Sequence, residues 1–275
     1  VVTTNGLRRL ALADGRRVDT WEGGDPHGRA VVYCHGTPAG RLQAALGDGA
    51  ARRVGVRLVA ASRPGYGGTS DTATTLTSVA RDTVEVADRL GLTDNFAVLG
   101  VSGGGPYALA LAAVAPDRVE AVGVVAGVGP LAELEPRSVD AEAAGYLRAG
   151  RVEAAVARQD HVHRDGGGHR VGTFVAPELL EPWTPTGRPG LPPYRGVSRD
   201  ALAVGPGWDL DLTGVRAPVH LCYGDRDRAV PLVHGLWLHE HLPSSTLVVR
   251  EGAGHLGTLV PYWAEVLATL RGPER

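Results

Sequence analysis

The 275-residue sequence predicts an α/β fold, a mostly parallel sheet with helices on both faces. Two observations carry that expectation. Short apolar runs of strand length alternate with stretches of helical periodicity through the first half of the chain, the rhythm of strand–helix–strand crossovers. That rhythm stops after Gly129-Pro130 and resumes at Val219, so one segment is inserted into an otherwise regular sheet. The length suits one large domain, or one domain carrying an insertion.

The elements follow in order. Leu7 to Leu12 and Arg17 to Glu22 read as a hairpin closed by Asp14-Gly15. Ala30 to Cys34 and Arg57 to Ala61 are apolar runs suited to strands buried on both faces. Between Leu76 and Leu90, apolar residues recur at Val79, Ala80, Val84, Ala87 and Leu90, one helix face, and Gly91 stands at the C-terminal cap position. Phe96 to Gly100 is a third buried strand, Ser102 to Ala115 a helix stopped by Pro116, and Val119 to Val125 a fourth strand. Leu131 to Gln159 is Ala-rich and helical in character, and Arg164 to Gly207 is crowded with Gly and Pro. Strands and helices resume at Val219 to Tyr223, Leu232 to His241, Thr246 to Arg250 and Thr258 to Leu270. Residues 1–130 and 211–275 therefore form the core. Residues 131–210 are either a poorly ordered insertion or, as favoured here, a cap over the sheet's carboxyl edge whose Gly/Pro-rich half is mobile.

Composition excludes several chemistries. The chain has no Lys, Ile or Met, so every basic side chain is Arg. Without a Lys amine there is no Schiff-base aldolase, no pyridoxal-phosphate enzyme, no Walker A lysine and no S-x-x-K nucleophile. The three absent residues have AT-rich codons, which points to a GC-rich genome. The missing initiator Met is read as processing or trimming of the first residues, or as a sequence that starts after them. A net charge of −2 offers no electrostatic case for nucleic acid or an anionic membrane. The apolar stretches are too short to span a bilayer, no signal-peptide pattern opens the chain, and two Cys make no disulfide framework. A soluble, intracellular protein acting on a small-molecule substrate is expected, with no partner macromolecule implied and its oligomeric state open.

Gly100-Val101-Ser102-Gly103-Gly104 is a G-x-S-x-G sequence between an expected strand and an expected helix. Such a turn strains the Ser backbone, glycines two positions either side remove the collisions this causes, and the helix behind aims its N–H groups at the site. Taken alone it reads equally well as a Gly-rich turn with an incidental Ser. A nucleophilic Ser needs a base, and the base an orienting carboxylate, in the chain order Ser, acid, His. Asp225 and Asp227, just past a strand, supply the acid; His255, in a Gly-rich loop after the last strand, supplies the base.

With these residues in place the chain resembles an α/β-hydrolase-fold protein over nearly its whole length. His35-Gly36-Thr37-Pro38 is similar to the family's HG-x-P oxyanion loop, and Arg63-Pro64-Gly65-Tyr66-Gly67 to the R-P-G-x-G loop of one large branch. The stretch from Leu90 to Leu109 also resembles that branch. The resemblance implies an eight-stranded sheet, Ser102 as nucleophile and His255 as general base. It favours Asp227 as the acid by the spacing from Gly224 to Pro231, with Asp225 the fallback. It also implies an oxyanion hole formed by the N–H groups of Gly103 and Thr37. No cofactor or metal follows from it.

Other residues have competing readings. His35 is expected to brace its loop rather than bind metal. His161, His163 and His169 form a denser group but lack the carboxylate or Cys pattern that would complete a site. Cys34 and Cys222 are read as small core residues. Trp183, Trp208, Tyr146 and Phe174 line a substrate pocket or form the insertion's own small core. The leading function is a serine hydrolase acting on an ester, lactone, thioester or amide of a small organic molecule. The rivals are cofactor-free perhydrolysis, carbon–carbon bond hydrolysis, and non-hydrolytic cyclisation or binding. Haloalkane dehalogenases and epoxide hydrolases of the family place Asp where this chain has Ser102, and plant-type hydroxynitrile lyases rely on a Lys it lacks.

Overall fold

The computed structural model describes residues 6–165 and 195–272. The hairpin β1 (Leu7–Ala11) and β2 (Arg17–Gly24) leads into β3 (Arg29–Cys34). A 3-10 turn over Arg41–Gly47 runs into α1 (Asp48–Arg53), and then come β4 (Val56–Ala61), α2 (Leu76–Arg89) and β5 (Phe96–Val101). After a turn at Ser102–Gly104 follow α3 (Gly105–Val114) and β6 (Val119–Val125). The inserted segment carries α4 (Leu131–Leu134), α5 (Ala141–Arg148), α6 (Val152–Asp165) and α7 (Arg195–Val204). The core closes with β7 (Val219–Gly224), α8 (Leu232–His241), β8 (Ser245–Arg250) and α9 (Trp263–Arg271).

The eight strands form one sheet in the order β1-β2-β4-β3-β5-β6-β7-β8. Pairs β1–β2 and β2–β4 are antiparallel and all others parallel, as the alternating pattern requires. The chain crosses from β3 outward to β4 and then back past β3 to β5, so the strand order reverses between β3 and β5. Crevices at such switch points, outside the carboxyl ends of the strands, are where open α/β sheets bind ligands.

Both faces of the central strands are apolar because both are covered. Phe96 and Val98 of β5 join the cluster containing Leu76, Val79, Tyr107 and Leu238 from α2, α3 and α8. The alternate residues Ala97, Leu99 and Val101 join Trp21, Ala51, Trp263 and Leu267, under α1 and α9. Helix α3 is buried almost all round, hence its uniformly apolar sequence. Helix α2 begins with a Thr75–Ser78 capping box and ends with Leu92 N–H on the Ala87 carbonyl.

Two stretches differ from expectation. Residues 41–53, given no element from sequence, hold a 3-10 turn and the six-residue α1, too short to show a periodic face. Residues 195–204, read as part of a Gly/Pro-rich stretch, form the well-buried helix α7. Gly196 stands in that helix because a β-carbon there would lie 2.5 Å from the Tyr66 ring. The rest of the Gly/Pro-rich stretch, from 166 to 194, lies outside the described residues. Among the described residues no helix is long and apolar enough to cross a membrane.

Candidate active site

Strand β5 delivers Ser102 to the carboxyl edge of the sheet with φ at +54°, a left-handed conformation uncommon for a non-glycine residue. The tightness of this turn explains the flanking glycines. A β-carbon at Gly104 would lie 2.6 Å from the His35 carbonyl oxygen, and one at Gly100 would lie 2.6 Å from that of Gly104.

Two further loops after strands converge on Ser102. His255, past β8, sets its Nε2 3.0 Å from Ser102 Oγ. Its Nδ1 is 2.6 Å from Asp227 Oδ2, past β7. The other oxygen of Asp227 accepts the N–H groups of Ala229 and Val230 at 2.8 and 2.9 Å. Burial alone would raise the Asp227 carboxyl; the bond from His255 and the two backbone donors outweigh it, so it sits below its ordinary range and is ionised at neutral pH. An ionised Asp227 requires the proton of His255 on Nδ1, which leaves the Nε2 lone pair facing the Ser102 hydroxyl. Asp225 is exposed and directs its carboxylate to the Gly252 N–H at 2.7 Å.

Thr37 and Gly103 lie side by side. A β-carbon on Gly103 would stand 3.3 Å from Thr37 N. Gly103 is the second residue of a helical turn, where N–H groups have no intrahelical acceptor, and Thr37 N–H donates to no described residue. Pro38 follows through a cis peptide bond. Sequence reading missed Gln43, which sits in the unassigned stretch. Its Oε1 accepts from Tyr33 Oη at 3.0 Å and Gly36 N–H at 2.7 Å, while no described residue accepts from its Nε2. A β-carbon on Gly36 would be 3.4 Å from Ser102 Cβ and 3.5 Å from that Nε2, so both border one small space.

Beneath the loop of residues 35–38 is a buried polar network. His35 Nδ1 donates to the Gly36 carbonyl at 2.8 Å, and its Nε2 accepts the Arg63 backbone N–H at 3.1 Å. The Arg63 guanidinium donates to the carbonyls of His35 at 2.5 Å and Gly36 at 3.1 Å. Its counter-ion is Asp200 of α7, at 2.6 and 2.9 Å. The hydroxyls of Tyr66, Tyr107 and Thr37 also donate to Asp200, at 2.6, 2.8 and 2.5 Å. Sequence analysis gave Asp200 no role.

Burial, reinforced by the Arg63 charge, holds His35 down to about 3, so it is neutral and acts as a brace. An unfolded chain takes up a proton at His35 below about pH 6.5 while the folded chain does so only near 3. Stability from this group is thus complete above 6.5 and declines as pH falls toward 3. The expected loss between pH 7.5 and 5 is about 2 kcal/mol. Urea unfolding at both pH values checks it: His35→Gln should show a pH dependence smaller by that amount, and equal dependence would remove His35 as the source.

The remaining expectations fall elsewhere. Trp208 stacks edge-to-face on Trp237 of α8, with ring centroids 6.3 Å apart, packed against the main core cluster. Tyr146 packs with Ala143, Ala155, Val156 and Leu202 in a small core of the insertion. His163 Nδ1 lies 3.2 Å from Ser198 Oγ. Burial pushes the Cys34 thiol up to about 12, and Cys222 Sγ accepts from Arg250. Trp183, Phe174 and His169 lie outside the described residues. Among the described residues no three His, Cys, Asp or Glu side chains gather as a metal site. A cleft of about 950 Å³ lined by Asp25, Arg29, Arg57, Asn95 and Glu120 opens at the amino ends of the strands. It lies on the opposite edge of the sheet from Ser102.

Comparison with known proteins agrees with this architecture. A family model described as alpha/beta hydrolase fold matches residues 29–261. Among solved structures, the chain is similar to an esterase from Exiguobacterium antarcticum, at 21% identity and a TM-score of 0.69, covering 96% of this chain and 98% of the other. It is similar to a bromoperoxidase from Bacillus anthracis, at 22% identity, a TM-score of 0.68 and coverage of 96% and 99%. It also resembles an enol-lactonase from Burkholderia xenovorans LB400, at 17% identity, a TM-score of 0.66 and coverage of 95% and 98%. At these identities the structural likeness speaks for the fold alone. No curated protein matches the chain by sequence.

Proposed function

Because the chain belongs to the alpha/beta hydrolase fold family, we propose that it is a serine hydrolase that cleaves an ester, lactone, thioester or amide of a small organic molecule. The observation that carries this reading is the relay from Ser102 Oγ through His255 to Asp227, at 3.0 and 2.6 Å, on a strained turn beside two unengaged N–H groups. The likeness to an esterase and an enol-lactonase is compatible with it.

In the proposed reaction Ser102 Oγ attacks the acyl carbon as His255 Nε2 takes the hydroxyl proton. The carbonyl oxygen gains charge, and the N–H groups of Thr37 and Gly103 stabilise it; each such donor is worth about 2.7–4 kcal/mol in the transition state. Collapse expels the leaving group, which receives the proton from His255, and an acyl ester remains on Ser102. Water then attacks that ester, with His255 taking its proton and returning it to Ser102 Oγ as the acid departs. Asp227 keeps the imidazole in the tautomer this requires and offsets the charge of the imidazolium.

A fluorophosphonate probe tests the reading directly. The folded wild type is expected to be labelled at one site, mapped to Ser102 by peptide mass, and Ser102→Ala to remain unlabelled. Absence of labelling in the wild type would overturn the serine-hydrolase assignment. A screen of ester, lactone and amide substrates then distinguishes the acyl class.

A further inference from the structure

The buried carboxylate of the inserted helix has a place in the reaction at Ser102. We propose that Asp200 is a positioning residue: it holds the Arg63 guanidinium against the Gly36 carbonyl and so aims the Thr37 N–H into the oxyanion hole. The proposal rests on the acyl-transfer reading above.

The argument starts from the geometry of one peptide bond. The Gly36 carbonyl and the Thr37 N–H belong to the same peptide unit, and in a trans peptide they point in opposite directions. Whatever holds the carbonyl on one side fixes the N–H on the other. Two donors hold it: His35 Nδ1 at 2.8 Å and Arg63 Nη2 at 3.1 Å. Arg63 Nη1 fixes the preceding carbonyl, of His35, at 2.5 Å. Each donor also polarises its peptide, which makes the opposite N–H a better donor to a developing oxyanion.

Arg63 is 4% exposed, and a guanidinium there without a partner carries a large desolvation penalty. Asp200, 2% exposed, supplies the counter-charge through a two-pronged contact that fixes the plane of the fork. Tyr107 of the helix behind Ser102 and Tyr66 of the loop after β4 bond the same carboxylate, and the Thr37 hydroxyl makes a third such bond. Asp200 therefore ties together the nucleophile helix, the loop after β4 and the oxyanion loop. It is the member of this group contributed by the insertion. Seating of α7 on the core and assembly of the oxyanion hole are thus coupled, and a chain with α7 displaced would leave Arg63 unpaired and the Gly36–Thr37 peptide free to turn.

The charge of Asp200 is consistent with this role. Burial would raise its carboxyl, but the charge and bonds of Arg63, together with the bond from Thr37, outweigh burial and hold it below the ordinary range. It accepts five bonds as a carboxylate; an amide in its place accepts fewer and presents N–H groups toward donors.

The test measures turnover of a chromogenic p-nitrophenyl ester and affinity for phenylboronic acid, whose tetrahedral adduct places an oxygen in the oxyanion hole. Asp200→Asn should lower kcat about 10- to 100-fold, weaken the boronic acid by a similar factor and leave KM within about threefold. A merely structural contact would not divide kcat from KM in this way. The double variant Arg63→Met/Asp200→Leu removes both charges at once and so separates stability from positioning. It should be at least as heat-stable as Asp200→Asn, because no buried charge is stranded, yet stay as slow. If Asp200→Asn does not accumulate as folded protein, the double variant carries the test. Wild-type kcat and boronic acid affinity in Asp200→Asn, or recovery of kcat in the double variant, would overturn the proposal. Failure of the wild type to react with a fluorophosphonate would instead remove the reading of Ser102 on which it rests.

Discussion

His255→Ala is expected to lower kcat by about 10⁵- to 10⁶-fold while KM changes little and the protein stays folded. The imidazole is the one described group that bonds the Ser102 hydroxyl, at 3.0 Å, so its loss leaves a neutral alcohol as nucleophile. The fold should tolerate the change because the side chain is 25% exposed and its described side-chain hydrogen bonds are to Ser102 and Asp227 alone. Asp227 keeps both backbone donors when the imidazole is removed, so its carboxylate is not stranded. Residual turnover should still exceed the rate in water, since the Thr37 and Gly103 donors and substrate binding remain. Steady-state kinetics with a p-nitrophenyl ester, beside a thermal melt of the same preparation, give both numbers. Turnover within tenfold of the wild type would exclude His255 as the base.

The residues in that prediction were legible in the sequence because each stands in a local pattern. The elbow is five consecutive residues, Gly100 to Gly104, between an apolar run and a helix; Asp227 and His255 each follow a strand by a few positions. The parallel sheet was legible for the same reason, since β3, β5 and β6 are largely buried on both faces and read as near-continuous apolar runs. What escaped was non-local. Asp200 is one Asp in a Gly/Pro-rich neighbourhood, and its partners Tyr107 and Thr37 lie 93 and 163 positions away. No periodicity encodes such a pairing. Helix α7 escaped because it is buried nearly all round with polar residues among the apolar ones: Ser198, Arg199 and Asp200 are buried against charged and hydroxyl groups beside Val197, Leu202, Ala203 and Val204, which blurs the apolar stripe that marks a surface helix. Gln43 escaped because an amide is an ordinary surface residue until its oxygen is seen to be held by Tyr33 and Gly36.

The position of this network alters how the inserted segment relates to the chemistry. Its own small core, around Ala143, Ala155, Val156 and Leu202, holds α5, α6 and α7 together. The charges of α7 hold it to the remainder: Arg199 pairs with Asp71 at 2.9 Å, and Asp200 with Arg63. The attachment combines these ion pairs with apolar packing, since Ala203 and Val204 of α7 join the main core cluster, and one of the pairs lies beside the loop that carries Thr37. Helix α7 is thereby joined to the loop that carries Thr37.

Asp227→Asn is expected to lower kcat about 10⁴-fold, whereas Asp225→Asn should remain within about threefold of the wild type. The difference follows from which atoms each carboxylate engages. Asp227 Oδ1 accepts two backbone N–H groups, at 2.8 and 2.9 Å, and in the Asn variant the amide oxygen must occupy that place to keep them satisfied. The amide nitrogen is then turned toward His255 Nδ1, where it donates instead of accepting. The imidazole answers by carrying its proton on Nε2, so the atom facing Ser102 becomes a donor and cannot take the hydroxyl proton. Side-chain volume barely changes, so the thermal melt should move little. Asp225 accepts one N–H, from Gly252, and an amide oxygen does that equally well in an exposed loop. Comparing kcat of the two variants on one ester decides between the acids. A severe loss in Asp225→Asn with a mild one in Asp227→Asn would mean that His255 is oriented by the other loop position in the working enzyme, since nothing else in the two substitutions differs in charge or size.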